Sequence, residues 1–155
     1  IASVTEEIGL GVPASHPLAY LAGENSAERL PEVDVSLFKD TQFLLSAPET
    51  KSSDIEAEIF RTAGFQPKVL YTSSGSKTRI RSVKAQLACA FFPAFYIDPD
   101  APIVYFTVKP HICWNSCVAY RKGSYLSVPE LVLVDLIRKY NQRVSNFKSI
   151  IQDGS

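Results

Sequence analysis

Phe43-Leu44-Leu45-Ser46-Ala47-Pro48-Glu49-Thr50-Lys51-Ser52-Ser53-Asp54-Ile55-Glu56-Ala57-Glu58-Ile59-Phe60-Arg61-Thr62-Ala63-Gly64 holds the first full structural unit of the chain. Phe43-Leu44-Leu45 is an apolar run of strand character, and Ser46 to Lys51 is a loop. A helix is expected from Ser53, whose hydroxyl serves as cap, with Glu56 three residues on closing a capping box. Ile55, Ile59, Phe60 and Ala63 recur at helical spacing, and Gly64 supplies the stop.

The unit then repeats. Lys68-Val69-Leu70-Tyr71 reads as a strand and Thr72-Ser73-Ser74-Gly75-Ser76 as a turn rich in hydroxyls. Lys77 to Ala85 reads as a helix with Ile80, Val83 and Leu87 on one face. Ala88 to Phe92 is continuously apolar up to Pro93, the pattern of a strand buried on both faces. Strand, helix, strand, helix, strand in this rhythm predicts an α/β fold with a mostly parallel sheet and right-handed crossovers.

Outside this stretch the signals are shorter. Ile8-Gly9-Leu10-Gly11-Val12 is a strand whose glycines admit another backbone closely, ended by Pro13. Gly23 to Asp34 is polar and reads as a long surface loop. Ile103 to Val108 and Cys117 to Tyr120 read as strands. A last helix is expected from Ser127, with Glu130 closing its capping box, and its residues Leu131 to Ile137 are apolar almost all round. Val144 to Ser155 reads as a weakly amphipathic tail.

Charge and composition exclude several functions. The 155 residues carry 16 Lys plus Arg against 16 Asp plus Glu, so the basic excess that holds nucleic acid or an anionic membrane is missing. The longest apolar run, Leu87 to Ile97, contains Pro93 and is too short to span a bilayer. Ile1-Ala2-Ser3-Val4-Thr5-Glu6-Glu7 lacks signal-peptide character, and the sequence contains no Met, as expected of a piece of a longer or processed chain. Cys89, Cys113 and Cys117 form no CxxC pair and read as reduced thiols of a cytoplasmic protein.

Catalysis finds little support. There are two histidines, and neither His16 in its proline turn nor His111 stands in a nucleophile or phosphate-loop motif. His111, Cys113 and Cys117 are metal-ligating types, but residues four apart on a strand sit about 13 Å apart, too far to share one ion. The sequence therefore predicts no catalytic residue, no metal and no cofactor.

Ligand binding is better supported. In a parallel sheet, ligands bind beyond the carboxyl ends of strands, where loops enter helices. Two such loops, Ser46 to Ser53 and Thr72 to Ser76, carry hydroxyls, and Lys51 and Lys77 add positive charge. Helix N-termini there would suit a small anion such as a carboxylate. The plainer reading is that these hydroxyls only cap helices.

Five segments, taken in order, resemble the effector-binding domain of LysR-type transcriptional regulators. They are Glu7-Ile8-Gly9-Leu10-Gly11-Val12-Pro13-Ala14-Ser15-His16-Pro17-Leu18-Ala19, Val35 to Leu45, Ala63-Gly64-Phe65-Gln66-Pro67, Val83 to Pro93, and Ala119-Tyr120-Arg121-Lys122-Gly123-Ser124-Tyr125-Leu126-Ser127. The likeness covers about residues 6 to 142. One departure is local: the family's Gly-Leu-Gly is Gln86-Leu87-Ala88 here.

The resemblance implies a type 2 periplasmic-binding-protein-like lobe and a partial effector-binding domain. Residues 14–119 would form its second lobe, 1–13 and 120–142 the hinge and first-lobe remnants, and 143–155 a tail. It implies a cytoplasmic bacterial regulator, a homodimer or homotetramer, that reaches DNA only through a winged helix-turn-helix outside these residues. Residue by residue it places the effector at Thr72, Ser73 and Ser74, with Ser46, Pro48, Thr50 and Phe95 along the same cleft edge. The last helix, by this reading, packs on first-lobe elements or a partner chain. The alternatives are a solute-binding protein of the same fold serving transport, and an enzyme built on it.

Overall fold

The computed structural model describes residues 2–23, 30–93, 96–109 and 111–152, with only the backbone described at 2–4, 116 and 141–152. The chain separates into two compact units: Glu7–Ile112, and Ile1–Glu6 together with Cys113–Ser155.

The first unit is an α/β sandwich. Its strands are β1 (Ala2–Pro13, from Glu7 on), β2 (Glu32–Asp34), β3 (Gln42–Ser46), β4 (Lys68–Ser73), β5 (Cys89–Pro93) and β6 (Ile103–Lys109). They lie in the order β2-β6-β1-β5-β3-β4. β3 runs parallel to both β4 and β5, as the repeated strand-helix rhythm predicts. β1 runs antiparallel to β5 and β6, so the whole sheet is mixed.

Helices α1 (Lys51–Ala63) and α2 (Ser76–Lys84) supply the crossovers. Alternate residues of a strand point to opposite faces, and here both faces are covered. Phe43 and Phe91 pack with Phe60 of α1 at ring separations of 4.9 to 5.9 Å. Leu44, Ala90 and Phe92 join Val83 of α2 in a second cluster. That is why residues 89–92 read as an unbroken apolar run.

Of the β1 glycines, Gly9 admits another backbone as expected, whereas Gly11 makes room for side chains. A Cβ on Gly9 would stand 3.1 Å from the Phe106 carbonyl oxygen, and one on Gly11 would stand 2.9 Å from the Phe92 ring.

Several expectations are corrected. The α1 cap is Thr50, not Ser53: Thr50 Oγ1 accepts the Ser53 N–H and Ser53 Oγ takes the Thr50 N–H. Glu56 is consequently not part of a capping box but buried in the packed face of the helix. The Gly23 to Asp34 loop ends in β2, where Val33 is buried between exposed Glu32 and Asp34; one apolar residue is too little pattern to announce a strand. Residues 24–29 lie outside the described residues. Leu87 does not share the buried face of α2 but is 55% exposed. The chain turns at Gln86, which adopts a left-handed φ of 62° where the related family has Gly.

The second unit contains the first residues of β1, β7 (Cys113–Val118) and α3 (Val128–Gln152). β7 pairs with β1, begins four residues earlier than expected, and holds Cys113 and Cys117 on one extended segment. At the start of α3, Glu130 accepts the Ser127 N–H and hydroxyl at 2.7 and 2.6 Å. No Pro or Gly interrupts the sequence from Glu130 to Gln152, so the helix continues through most of the expected tail. Val128, Leu131, Val132, Leu133, Leu136 and Tyr140 are all more than half exposed.

Candidate functional site

The register of the parallel strands brings the two hydroxyl-bearing loops together. Ser46 of β3 lies opposite Ser73 of β4, so both chains leave the sheet at the same level. The Ala47 N–H then donates to the Ser73 carbonyl at 3.2 Å and ties the loops to each other. Thr72 and Ser74 are exposed, and Ser73 is half-buried.

The hydroxyls divide into two groups. Those at α1 are engaged: Thr50 Oγ1 accepts the Ser53 N–H and donates to the Ala47 carbonyl at 2.8 Å. For Thr50 the capping role is thus realised. Pro48 is exposed beside Glu49, whose φ of 64° makes the bend into the helix. At α2 the cap position is Gly75, and no side chain caps the helix. Ser73 Oγ instead accepts the Gly75 N–H at 3.2 Å, which shapes the turn. An uncapped N-terminus beside the Thr72–Ser74 turn is suited to an anion. Phe95 lies outside the described residues.

Ser46 plays a different part from the one expected. It is only 5% exposed, and its N–H and hydroxyl both donate to Glu56, at 2.7 and 2.8 Å. Arg79 of α2 completes the group, with Nη1 donating to Glu56 Oε1 at 2.7 Å and Nη2 reaching Ser76 Oγ at 3.4 Å. The Arg79 and Glu56 side chains are 4% and 5% exposed. Burial pushes the Glu56 carboxyl above its ordinary range, opposed by the Ser46 donors and the Arg79 guanidinium. One polar chain therefore runs from the end of β3 through α1 to the first residue of α2, beneath the two loops.

Glu56 and Arg79 were not among the expected site residues. A signal existed: Glu56 stands in register with Ile59 and Phe60, and Arg79 four residues before Val83, each a charge on an apolar stripe. A charge at such a position must find a partner inside.

Both histidines are held by neighbouring groups. His16 Nδ1 accepts the Leu18 N–H at 3.1 Å, Nε2 contacts Thr41 Oγ1 at 3.0 Å, and the ring stacks on Phe38. His111 joins two carboxylates, with Nδ1 on Glu7 and Nε2 on Glu32 at 2.9 Å.

A mixed sheet covered by helices on both faces, with loops gathered at the carboxyl ends of its parallel strands, is an α/β architecture with its loops where such sheets hold ligands. The family model for the LysR substrate binding domain matches residues 3–142, and the chain belongs to that family. No curated protein matches the sequence.

Solved structures share the fold. The effector-binding domain of QuiR in complex with shikimate superposes with a TM-score of 0.63 at 14% identity, over 90% of this chain and 63% of that one. The Synechocystis PCC6803 CcmR regulatory domain in complex with 2-PG gives 0.68 at 12% identity, over 91% and 68%. The reduced OxyR regulatory domain from Pseudomonas aeruginosa gives 0.64 at 21% identity, over 87% and 63%. The chain thus spans less than two thirds of the QuiR domain. Among the described residues no helix is long and apolar enough to cross a membrane.

Proposed function

We propose that this chain is the effector-sensing part of a LysR-type transcriptional regulator and acts without catalysis. The observation that carries this reading is the family match over residues 3–142. We read the unit Glu7–Ile112 as the second lobe and Ile1–Glu6 with Cys113–Ser155 as hinge and first-lobe elements; these bounds move residues 7–13 into the lobe and 113–119 out of it relative to the expected 14–119.

The effector is a small anion held at the Thr72–Ser74 turn and the α2 N-terminus, with Pro48 and Thr50 along the edge and Ser46 holding the floor; Phe95 is assigned to the site by the family resemblance alone. The uncapped α2 N-terminus supports an anion, and the QuiR relative is bound to shikimate, a carboxylate. Binding favours one state of the regulator, and the difference in affinity between its states is the free energy that reaches the DNA-binding domains. Those domains lie outside these residues, in a cytoplasmic dimer or tetramer. The exposed apolar face of α3 supports association.

The test uses the regulator with both lobes. Thermal-shift screening of small carboxylates should identify a stabilising effector, and Ser74→Ala should then weaken the dose response without lowering the melting temperature of the unliganded protein. An unchanged dose response removes the turn from the site.

A further inference from the structure

A second cleft, of about 520 Å³, opens at the other end of the sheet, where β3 and β5 begin. It is lined by residues 13, 15–18, 37, 40–42 and 86–88, all within the unit Glu7–Ile112. None of the described candidate effector residues lines it.

Its walls are held in place. Gln86, in its left-handed conformation, accepts the Ser15 N–H and donates to the carbonyls of Val83, Lys84 and Pro102, joining three segments at one corner. His16 is fixed by Leu18, Thr41 and Phe38. Leu37 and Leu87 are 54% and 55% exposed on the lining, so an apolar group seated there would take both from water.

The hydrogen bonds also set a direction. Because the Leu18 N–H donates to His16 Nδ1, the neutral ring carries its proton on Nε2 and donates it to Thr41 Oγ1. Burial lowers the His16 pKa, which keeps the ring neutral at neutral pH. The Thr41 hydroxyl, having accepted from His16, has its own proton to donate into the cleft. Asp40 stands on the same lining, its carboxylate shared with Lys68, and offers nothing to a second anion.

We propose that this cleft binds a small uncharged molecule with an apolar body and a carbonyl oxygen. The body covers Leu37 and Leu87, and the carbonyl accepts from the Thr41 hydroxyl. The cleft volume is in the usual range for small-molecule sites.

Benzamide and benzoate, equal in shape but different in charge, are suitable probes for saturation-transfer NMR on the whole chain. Benzamide should bind saturably and benzoate about fivefold or more weakly. Thr41→Val should weaken benzamide about fivefold, and Thr41→Ser should retain it. Leu87→Ser, at an exposed position, should abolish saturation while the circular dichroism stays unchanged. Ser74→Ala should have no effect, and this separates the cleft from the proposed effector site. The proposal is overturned if benzamide fails to saturate, if binding survives both Thr41→Val and Leu87→Ser, if benzoate binds as well as benzamide, or if Ser74→Ala removes the binding.

Discussion

Replacing Arg79 by Met tests the buried polar chain beneath the candidate site. In the native protein the Glu56 carboxylate accepts from the Ser46 N–H, the Ser46 hydroxyl and Arg79 Nη1, all within 2.8 Å. Arg79→Met keeps much of the side-chain bulk but leaves the carboxylate with two neutral donors and no counter-charge. With both side chains about 95% buried, solvent cannot screen the loss, and the expected cost at neutral pH is about 3–5 kcal/mol. That is a large part of a typical folding stability of about 5–15 kcal/mol.

The penalty should depend on pH, and its sign follows from linkage. The folded Glu56 pKa lies above the ordinary value of 4.5 because of burial. Its contribution is therefore fully present below 4.5 and is lost as pH rises through the folded pKa. Removing Arg79 takes away a charge that holds this pKa down, so the loss continues to higher pH in the variant. The difference between wild type and variant should grow with pH, by at most about 1.4 kcal/mol per unit. Urea unfolding followed by far-ultraviolet circular dichroism at about pH 5 and about pH 8 measures it directly. A penalty equal at the two pH values, or below about 1 kcal/mol at both, would refute the reasoning, since exposed pairs behave that way. Glu56→Met combined with Arg79→Met should recover most of the loss, leaving about 1–3 kcal/mol from the orphaned Ser46 donors.

Three further outcomes follow from other sites. Gln86→Ala keeps the left-handed backbone and loses four side-chain hydrogen bonds, whereas Gln86→Gly loses the bonds but relaxes the backbone; Gly should be the more stable of the two by about 1 kcal/mol in urea unfolding. The two histidines should titrate apart in imidazole NMR spectra, His16 below 6.5 because of burial and His111 above it because of its hydrogen bond and charge contact with Glu7. Stability gained from His111 is present below pH 6.5 and fades as pH rises through its folded pKa, and Glu7→Gln should bring that pKa down. A disulfide-exchange reagent should modify exposed Cys113 and Cys117 in the folded protein, while Cys89, buried and with its thiol pushed up to about 12, should react only on unfolding.

Local pattern was enough for the central layer of the fold. Phe43–Leu45, Lys68–Tyr71 and Ala88–Phe92 are apolar runs separated by amphipathic helices, and chirality leaves parallel crossovers as the natural solution. The close backbone approach read from the glycines holds at Gly9 but not at Gly11, which a Phe92 ring fills, and the same segment carried the family resemblance that the match over residues 3–142 bears out. The hydroxyl-rich loops were legible as the ends of neighbouring parallel strands, because register follows from the order of the units.

Partners across the chain were not legible. Glu56 and Arg79 lie 23 residues apart and meet only because α1 and α2, on opposite faces of the sheet, both turn a charged side chain toward the end of β3. The same contact took Ser46 out of the set of exposed hydroxyls, and it released Glu56 from its expected capping role in favour of Thr50 and Ser53. Periodicity states which face of an element is buried but not which buried polar groups face one another. That depends on strand register and helix rotation, set by packing of the whole unit, and the tertiary structure alone decided it.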